Sequence, residues 1–180
     1  MLRTLFATLA FALDALAIAA KALIGHRLGA GDRTEARAIL RRCLQWDVWA
    51  GLLLGLAVIA GSGVIGALFT PDAQVRALLP GALVLLGLSV PLGAVVWVLD
   101  GVLIGAGDMR YLALAGLINL AVFLPLALAV LWRAPVGAAG LAWLMAAFVF
   151  GFLGARLATL GWRARGDAWM LTGSRVLVPP

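Results

Sequence analysis

Five stretches of this sequence run for about 20 residues or more with almost no charge, near 4–24, 46–69, 78–104, 111–132 and 136–160. Wound as an α-helix, roughly 20 apolar residues rise about 30 Å, the thickness of a bilayer's hydrocarbon core. In lipid every backbone N–H and C=O must be bonded within the protein, so a spanning segment is either a helix or a strand of a closed barrel. Barrel strands are about ten residues long and alternate polar with apolar positions. The runs here are longer, rich in Leu and Ala, and show no period of two. The expected fold is therefore all-α and integral to a membrane, with five transmembrane helices. Composition agrees, with 64% hydrophobic and 12% charged residues, where a soluble domain has about half and about a quarter. The net charge of +6 is read against the lipid bilayer as partner and not against nucleic acid, because the basic residues gather at the ends of the apolar runs.

Loop charge sets an orientation. Arg27, Arg33, Arg37, Arg41, Arg42, Arg110, Arg156, Arg163, Arg165 and Arg175 fall on one side of the five spans, against Arg3, Arg76 and Arg133 on the other. Ten against three places the first set in the cytoplasm, with the N-terminus outside and the C-terminus inside. One arginine and an apolar run broken by Asp14 make no convincing leader. With no leader to carry the N-terminus across, the reading expects a further segment upstream of Met1. Residues 1–160 are read as one partial bundle, and 161–180 as a mobile cytoplasmic tail ending in two prolines.

Helix ends are legible in repeated punctuation. The string GAGD occurs at Gly29–Asp32 and again at Gly105–Asp108. A left-handed glycine can close one helix while the aspartate caps the next, and Glu35, three residues after Asp32, completes a capping-box pattern. Pro71 and Asp72 mark a helix start at the opposite end, and Trp46, Trp49, Trp132 and Trp162 fall near the expected interfaces.

Polar residues inside the spans are the candidates for function. Asp100 lies in an apolar run with no basic residue until Arg110. A carboxylate at mid-bilayer costs about 2.5–3.5 kcal/mol on insertion scales, so it should face protein or water and is a functional candidate; bonding to a neighbouring helix is the structural alternative. Asp14 is about 18 Å of helical rise from His26 and is a second candidate. Asn119, inside the fourth run, is a third, although an amide there commonly bonds another helix. Lys21 can snorkel to the surface, and His26 reads as an interfacial residue without a second metal ligand, so no metal site or cofactor is expected. Cys43 reads as a buried free thiol, and Asp47 as interfacial charge balance for Arg41 and Arg42. Pro91 and Pro125 should bend their helices, and Gly61-Ser62-Gly63 reads as a close-packing site.

The strings ALIGHRLGAGDRTEARAI, ALFTPDAQVRALLPGAL and LDGVLIGAGDMRYLAL, in this order and spacing, resemble the C-terminal half of multidrug and toxic compound extrusion (MATE) transporters, and most closely the DinF-like branch. The likeness covers nearly the whole chain to about residue 160. It implies a twelve-helix fold of two six-helix bundles around a cavity, of which this chain resembles helices eight to twelve. The implied activity is export of small organic compounds, cationic or amphipathic, across the plasma membrane in exchange for H+ or Na+. The N-terminal half would be a required partner. The resemblance matches Asp100 to the helix-ten aspartate that many relatives use for cation or proton binding, and Asp14 to an aspartate common in the DinF-like branch. Where relatives carry an acid seven residues further on, this chain has Lys21.

Two other classes of function fit parts of the sequence. Glycine- and alanine-rich faces at Ala50, Gly51 and Gly55, or at Gly137, Ala139 and Gly140, could dock a partner in a non-transporting remnant or membrane subunit. The two Gly-x-Gly-Asp strings also match an intramembrane aspartyl protease motif. Each is followed within two residues by arginine and sits at an expected loop, away from a peptide inside the membrane, so the chain is read as no enzyme.

Overall fold

A computed structural model describes residues 17–69, 72–133 and 137–170. Among these the chain is helical throughout, without strands. Residues 17–29 form α1, followed by α2 (Arg33–Phe69), α3 (Ala73–Gly105) and α4 (Met109–Arg133). The last rod is composite: α5 (Gly137–Ala146), a π-helical segment (Ala147–Leu153) and α6 (Gly154–Arg165). Four of these units are long and apolar enough to cross a membrane: Arg33–Ile65, Arg76–Gly105, Met109–Arg133 and Ala139–Arg165. They correspond to the second to fifth expected spans; most of the first lies outside the described residues. At 37 residues α2 is about 55 Å long, nearly twice the hydrocarbon thickness, so its arginine-bearing first turns extend beyond the apolar core.

The axis of the bundle is α3. Of its spanning segment 61% is buried, against 11–17% of the other three. One core lies toward the GAGD turns and unites Ile24 and Leu28 of α1, Ile39 and Cys43 of α2, Val98 to Leu103 of α3 and Leu160 of α6. A second, toward the opposite end, joins Val58 of α2 to Leu79, Leu83, Leu86 and Val90 of α3. Large apolar side chains of α2 and α4, such as Leu53, Leu56, Leu117 and Leu131, remain exposed, as expected of surfaces made for lipid or further protein.

Both GAGD strings fold identically. Gly31 and Gly107 take positive φ (78° and 75°). The Asp32 N–H donates to the Arg27 carbonyl and the Gly31 N–H to Leu28; Asp108 donates to Leu103 and Gly107 to Ile104 in the same pattern. This is the Schellman arrangement, which satisfies the last carbonyls of α1 and α3. Asp32 then caps α2, its Oδ1 accepting from the Glu35 N–H at 2.9 Å.

Glycine sets how closely α3 is approached. A Cβ at Gly55 would stand 2.4 Å from the Gly87 carbonyl oxygen, and one at Gly51 would stand 2.9 Å from the Ala94 Cβ. Pro91 supplies the reason for the first contact: it has no N–H for the carbonyl four residues back, which is that of Gly87. The Gly55 backbone lies against the carbonyl that the proline leaves without its helical donor. Pro80, Pro91 and Pro125 all lie inside continuous helices. Gly51 and Gly55 thus make their close contacts with α3 inside the chain. Gly137 has φ of +67°, and among the described residues nothing lies within 4 Å of its Cβ position. Among the described residues, Gly63 has nothing within 4 Å of its Cβ position and Gly61 meets Ile65 of its own helix. Among the described residues, the expected close packing at Gly61-Ser62-Gly63 is not formed: Gly61 and Ser62 are half-exposed and Gly63 is exposed.

The expected mobile tail is also corrected over its first part. α6 continues to Arg165, and the chain then folds back so that Trp169 is wholly buried and Met170 nearly so, in the core with Ala36 and Leu40 of α2. Arg37 of α2 fastens this return, donating to the Gly166 carbonyl at 3.2 Å and pairing with Asp167. The physical cause is a large apolar indole that would otherwise lie in water.

Candidate functional site: an acid–arginine lattice between α3 and α6

Asp100 stands one turn before the end of α3 and is not bare. Arg156 of α6 reaches it with one edge of its guanidinium, Nη2 donating to Oδ1 at 2.5 Å and Nε to Oδ2 at 3.3 Å. The side chains are 24% and 17% exposed. A two-point fork holds a planar carboxylate in one orientation and is stronger than a single charged hydrogen bond. Of the two readings of Asp100, this geometry shows bonding to a neighbouring helix, although the partner is a cation. The next residue, Gly101, allows α1 to close over this part of α3: a Cβ there would stand 2.5 Å from the Ala17 carbonyl oxygen. Gly105 repeats the contact against Lys21, at 2.4 Å.

A second pair lies two turns further on. The Arg163 Nε donates to Asp108 Oδ2 at 2.7 Å, and its guanidinium lies 4.8 Å over the ring of Tyr111. Asp108, expected as a helix cap, thus spends its carboxylate on α6 and is nearly buried. The Tyr111 hydroxyl donates to the Thr159 carbonyl at 2.6 Å, between the two arginines in sequence. Acids at 100 and 108 on one side face arginines at 156 and 163 on the other, so α3 and its turn are joined to α6 at two levels.

Asn119 belongs to the same neighbourhood through α4. A Cβ at Gly116 would come within 3.8 Å of an Arg156 nitrogen, and Phe123 meets Phe152 edge to face at 5.7 Å. These contacts run α4 antiparallel to the final rod and place Asn119 between the levels of Arg156 and Phe152, one step beyond the Asp100–Arg156 pair. It is buried, with Oδ1 lacking a hydrogen-bond partner among the described residues. The π-helical segment just before α6 adds residues to its turns and so resets the rotational register in which Arg156 is presented.

Asp47 departs furthest from expectation. It is fully buried on α2, and neither carboxylate oxygen has a hydrogen-bond partner among the described residues. It does not balance Arg41 or Arg42, because it occupies the α3-facing side of the helix, one turn from Gly51, while those arginines point outward. Cys43 is a buried free thiol, as expected. Lys21 and His26 are exposed. Asp14 lies outside the described residues. Among the described residues no His, Cys, Asp and Glu cluster could hold a metal ion. The two aspartates of the protease-like strings are separately employed, Asp32 as a helix cap and Asp108 as the partner of Arg163.

Sequence reasoning missed Arg156 and Arg163 as site residues by assigning both to a loop. The available signal was spacing: seven residues separate the arginines and eight separate the aspartates, two helical turns in each case.

Comparison with known proteins comes from two directions. The MatE family model matches residues 1–129. Protein DETOXIFICATION 44, chloroplastic, of Arabidopsis thaliana is 35% identical over 101 residues, covering 56% of this chain and 19% of its own length. Protein DETOXIFICATION 42 of the same plant is 37% identical over 113 residues, covering 61% of this chain and 21% of its own. The chain therefore spans about a fifth of the length of these curated relatives. No solved structure matches it.

Proposed function

The chain belongs to the MatE family, and from that premise we propose that it forms part of a secondary exporter of small organic compounds, cationic or amphipathic, driven by exchange for H+ or Na+. It is a multi-pass membrane protein in this reading, with its GAGD turns and C-terminus in the cytoplasm and the N-terminus outside the plasma membrane. Its helices would correspond to helices eight to twelve of the DinF-like branch, and the remaining helices would complete the transport cavity.

The observation that carries the proposal is the Asp100–Arg156 pair, a carboxylate and a guanidinium bonded at two points between spanning helices. A coupled exporter needs a group that exchanges one cation for another as the protein changes conformation. Asp100 meets that requirement with Arg156 as the resident cation. A proton or Na+ arriving at the carboxylate competes with the guanidinium, and success would release α6 from α3. Asp14 and Asn119 are the accessory candidates for ion or substrate. Asn119 is favoured by its unsatisfied Oδ1 close to the level of the pair.

The test is export by the complete transporter reconstituted in vesicles, driven in turn by a proton and by a sodium gradient. Asp100→Asn should abolish gradient-driven export while leaving expression and thermal stability sufficient for purification. Undiminished export by that variant would refute the coupling role of Asp100.

A further inference from the structure

At the end of the bundle opposite the GAGD turns, α4 and the final rod part and leave a groove of about 470 Å³. Its α4 wall is Leu126, Ala129, Val130 and Arg133, whose spacing of three, four and seven marks one helix face. The rod supplies Trp143, Ala146, Ala147 and Phe150, at the same spacing in sequence. One end of the groove is shut where the two helices touch: a Cβ at Gly151 would stand 2.7 Å from the Leu126 Cδ1, and Phe123 meets Phe152 just beyond. Alanines hold the middle open, since their side chains are too short to close it. Arg133, exposed in the last turn of α4, and the half-exposed Trp143 stand at the other end. The sequence has no Asp or Glu between Asp108 and Asp167, so neither wall carries a carboxylate to neutralise Arg133.

We propose that this groove binds a single-chain aliphatic carboxylate, with its head on Arg133 and its chain along the alanines to Leu126 and Phe150. Charge selects the head: a guanidinium binds a carboxylate through two parallel hydrogen bonds and repels a cation. Length selects the chain. Seven residues from Arg133 to Leu126 rise about 10 Å, and an extended chain of about eight carbons covers that distance at about 1.5 Å per bond and about 111° per angle. The order of side chains follows the ligand, from a cation beside an amphipathic indole to aliphatic and aromatic surface at the closed end. The volume lies toward the small end of ligand pockets, about 300–1,000 Å³, which suits one chain and not the two of a phospholipid. The inference is independent of the transport reading, since Asp100, Arg156 and Asn119 are not among the residues lining the groove.

The experiment is photolabelling of the complete protein in phosphatidylcholine nanodiscs, at about pH 8 so that the probe is ionised. The probe is a straight-chain carboxylate of about eight to ten carbons with a diazirine near its tail. Peptide mass spectrometry should place adducts on both walls, within residues 126–130 and 146–150. A trimethylammonium probe with the same chain and diazirine should label these segments about tenfold less. Arg133→Gln should lower carboxylate labelling by about fivefold to tenfold, and Arg76→Gln, outside the groove, should leave it unchanged. Ala129→Phe, at an exposed position of the wall, fills the lane with Arg133 in place and should lower labelling by about tenfold. Unlabelled decanoate should displace the probe, whereas exchanging part of the phosphatidylcholine for phosphatidylglycerol should not. Equal labelling by the two probes, labelling indifferent to Arg133→Gln and Ala129→Phe, or displacement by phosphatidylglycerol would overturn the proposal. So would a lack of adducts in both segments, the result expected if a further helix of the protein fills the groove.

Discussion

Cutting the Asp100–Arg156 pair from either side should have the same consequence for stability, and cutting both should add nothing. Exposed ion pairs contribute about 0–1 kcal/mol, whereas removing one partner of a fully buried pair costs about 3–5 kcal/mol because a charge is left without compensation. With side chains 24% and 17% exposed and a two-point contact, this pair falls between those limits. Asp100→Asn and Arg156→Gln should each cost about 2 kcal/mol, and the double variant no more than either single one. The coupling free energy is then about 2 kcal/mol, close to thirtyfold in the unfolding constant. Denaturant titration of the detergent-solubilised chain, followed by circular dichroism at the helix bands, measures all four species. Asp108→Asn supplies the control, since its partner is Arg163 and its effect should add to that of Arg156→Gln. Single effects that add to within about 0.5 kcal/mol would show that the two side chains are not energetically joined, and the argument for a competing cation would fall with them.

Gly55→Ala should destabilise by about 1–3 kcal/mol in thermal melts, because a Cβ 2.4 Å from the Gly87 carbonyl forces α2 away from α3; Gly63→Ala, with nothing within 4 Å among the described residues, should be neutral or gain up to about 1 kcal/mol. Within one GAGD string the two glycines should differ in the same assay. Gly31→Ala at φ +78° should cost about 1–2 kcal/mol, and Gly29→Ala, with nothing within 4 Å and inside the last turn of α1, should cost nothing. Asp47→Leu should raise the melting temperature, by the equivalent of about 1–3 kcal/mol, since it removes buried oxygens that have no partner among the described residues; a loss of more than about 1 kcal/mol would reveal a partner for this carboxylate elsewhere in the protein.

The sequence by itself determined the class of fold and most helix ends, because both depend on local or additive properties. Apolar run length against bilayer thickness fixed the spans, and the GAGD strings fixed their turns, since a left-handed glycine and an aspartate cap act through bonds between near neighbours in sequence. Tertiary structure decided which polar groups meet. Asp100 and Arg156 are 56 residues apart and Asp108 and Arg163 are 55, and no local rule joins them. The face that a residue turns to its neighbours also had to be seen. Asp47 and the exposed Trp46 are adjacent in sequence yet opposite in environment, because α3 covers one side of α2 and leaves the other open. Gly51, Gly55 and Gly63 look alike as letters, and the docking of α3 makes only the first two close contacts. Trp169 shows the same division, in that composition marks its segment as a tail while its indole finds a complete burial site among helices far away in sequence. Periodicity and punctuation specify the elements; long-range packing assigns each side chain its partner, and the candidate site is made of such partners.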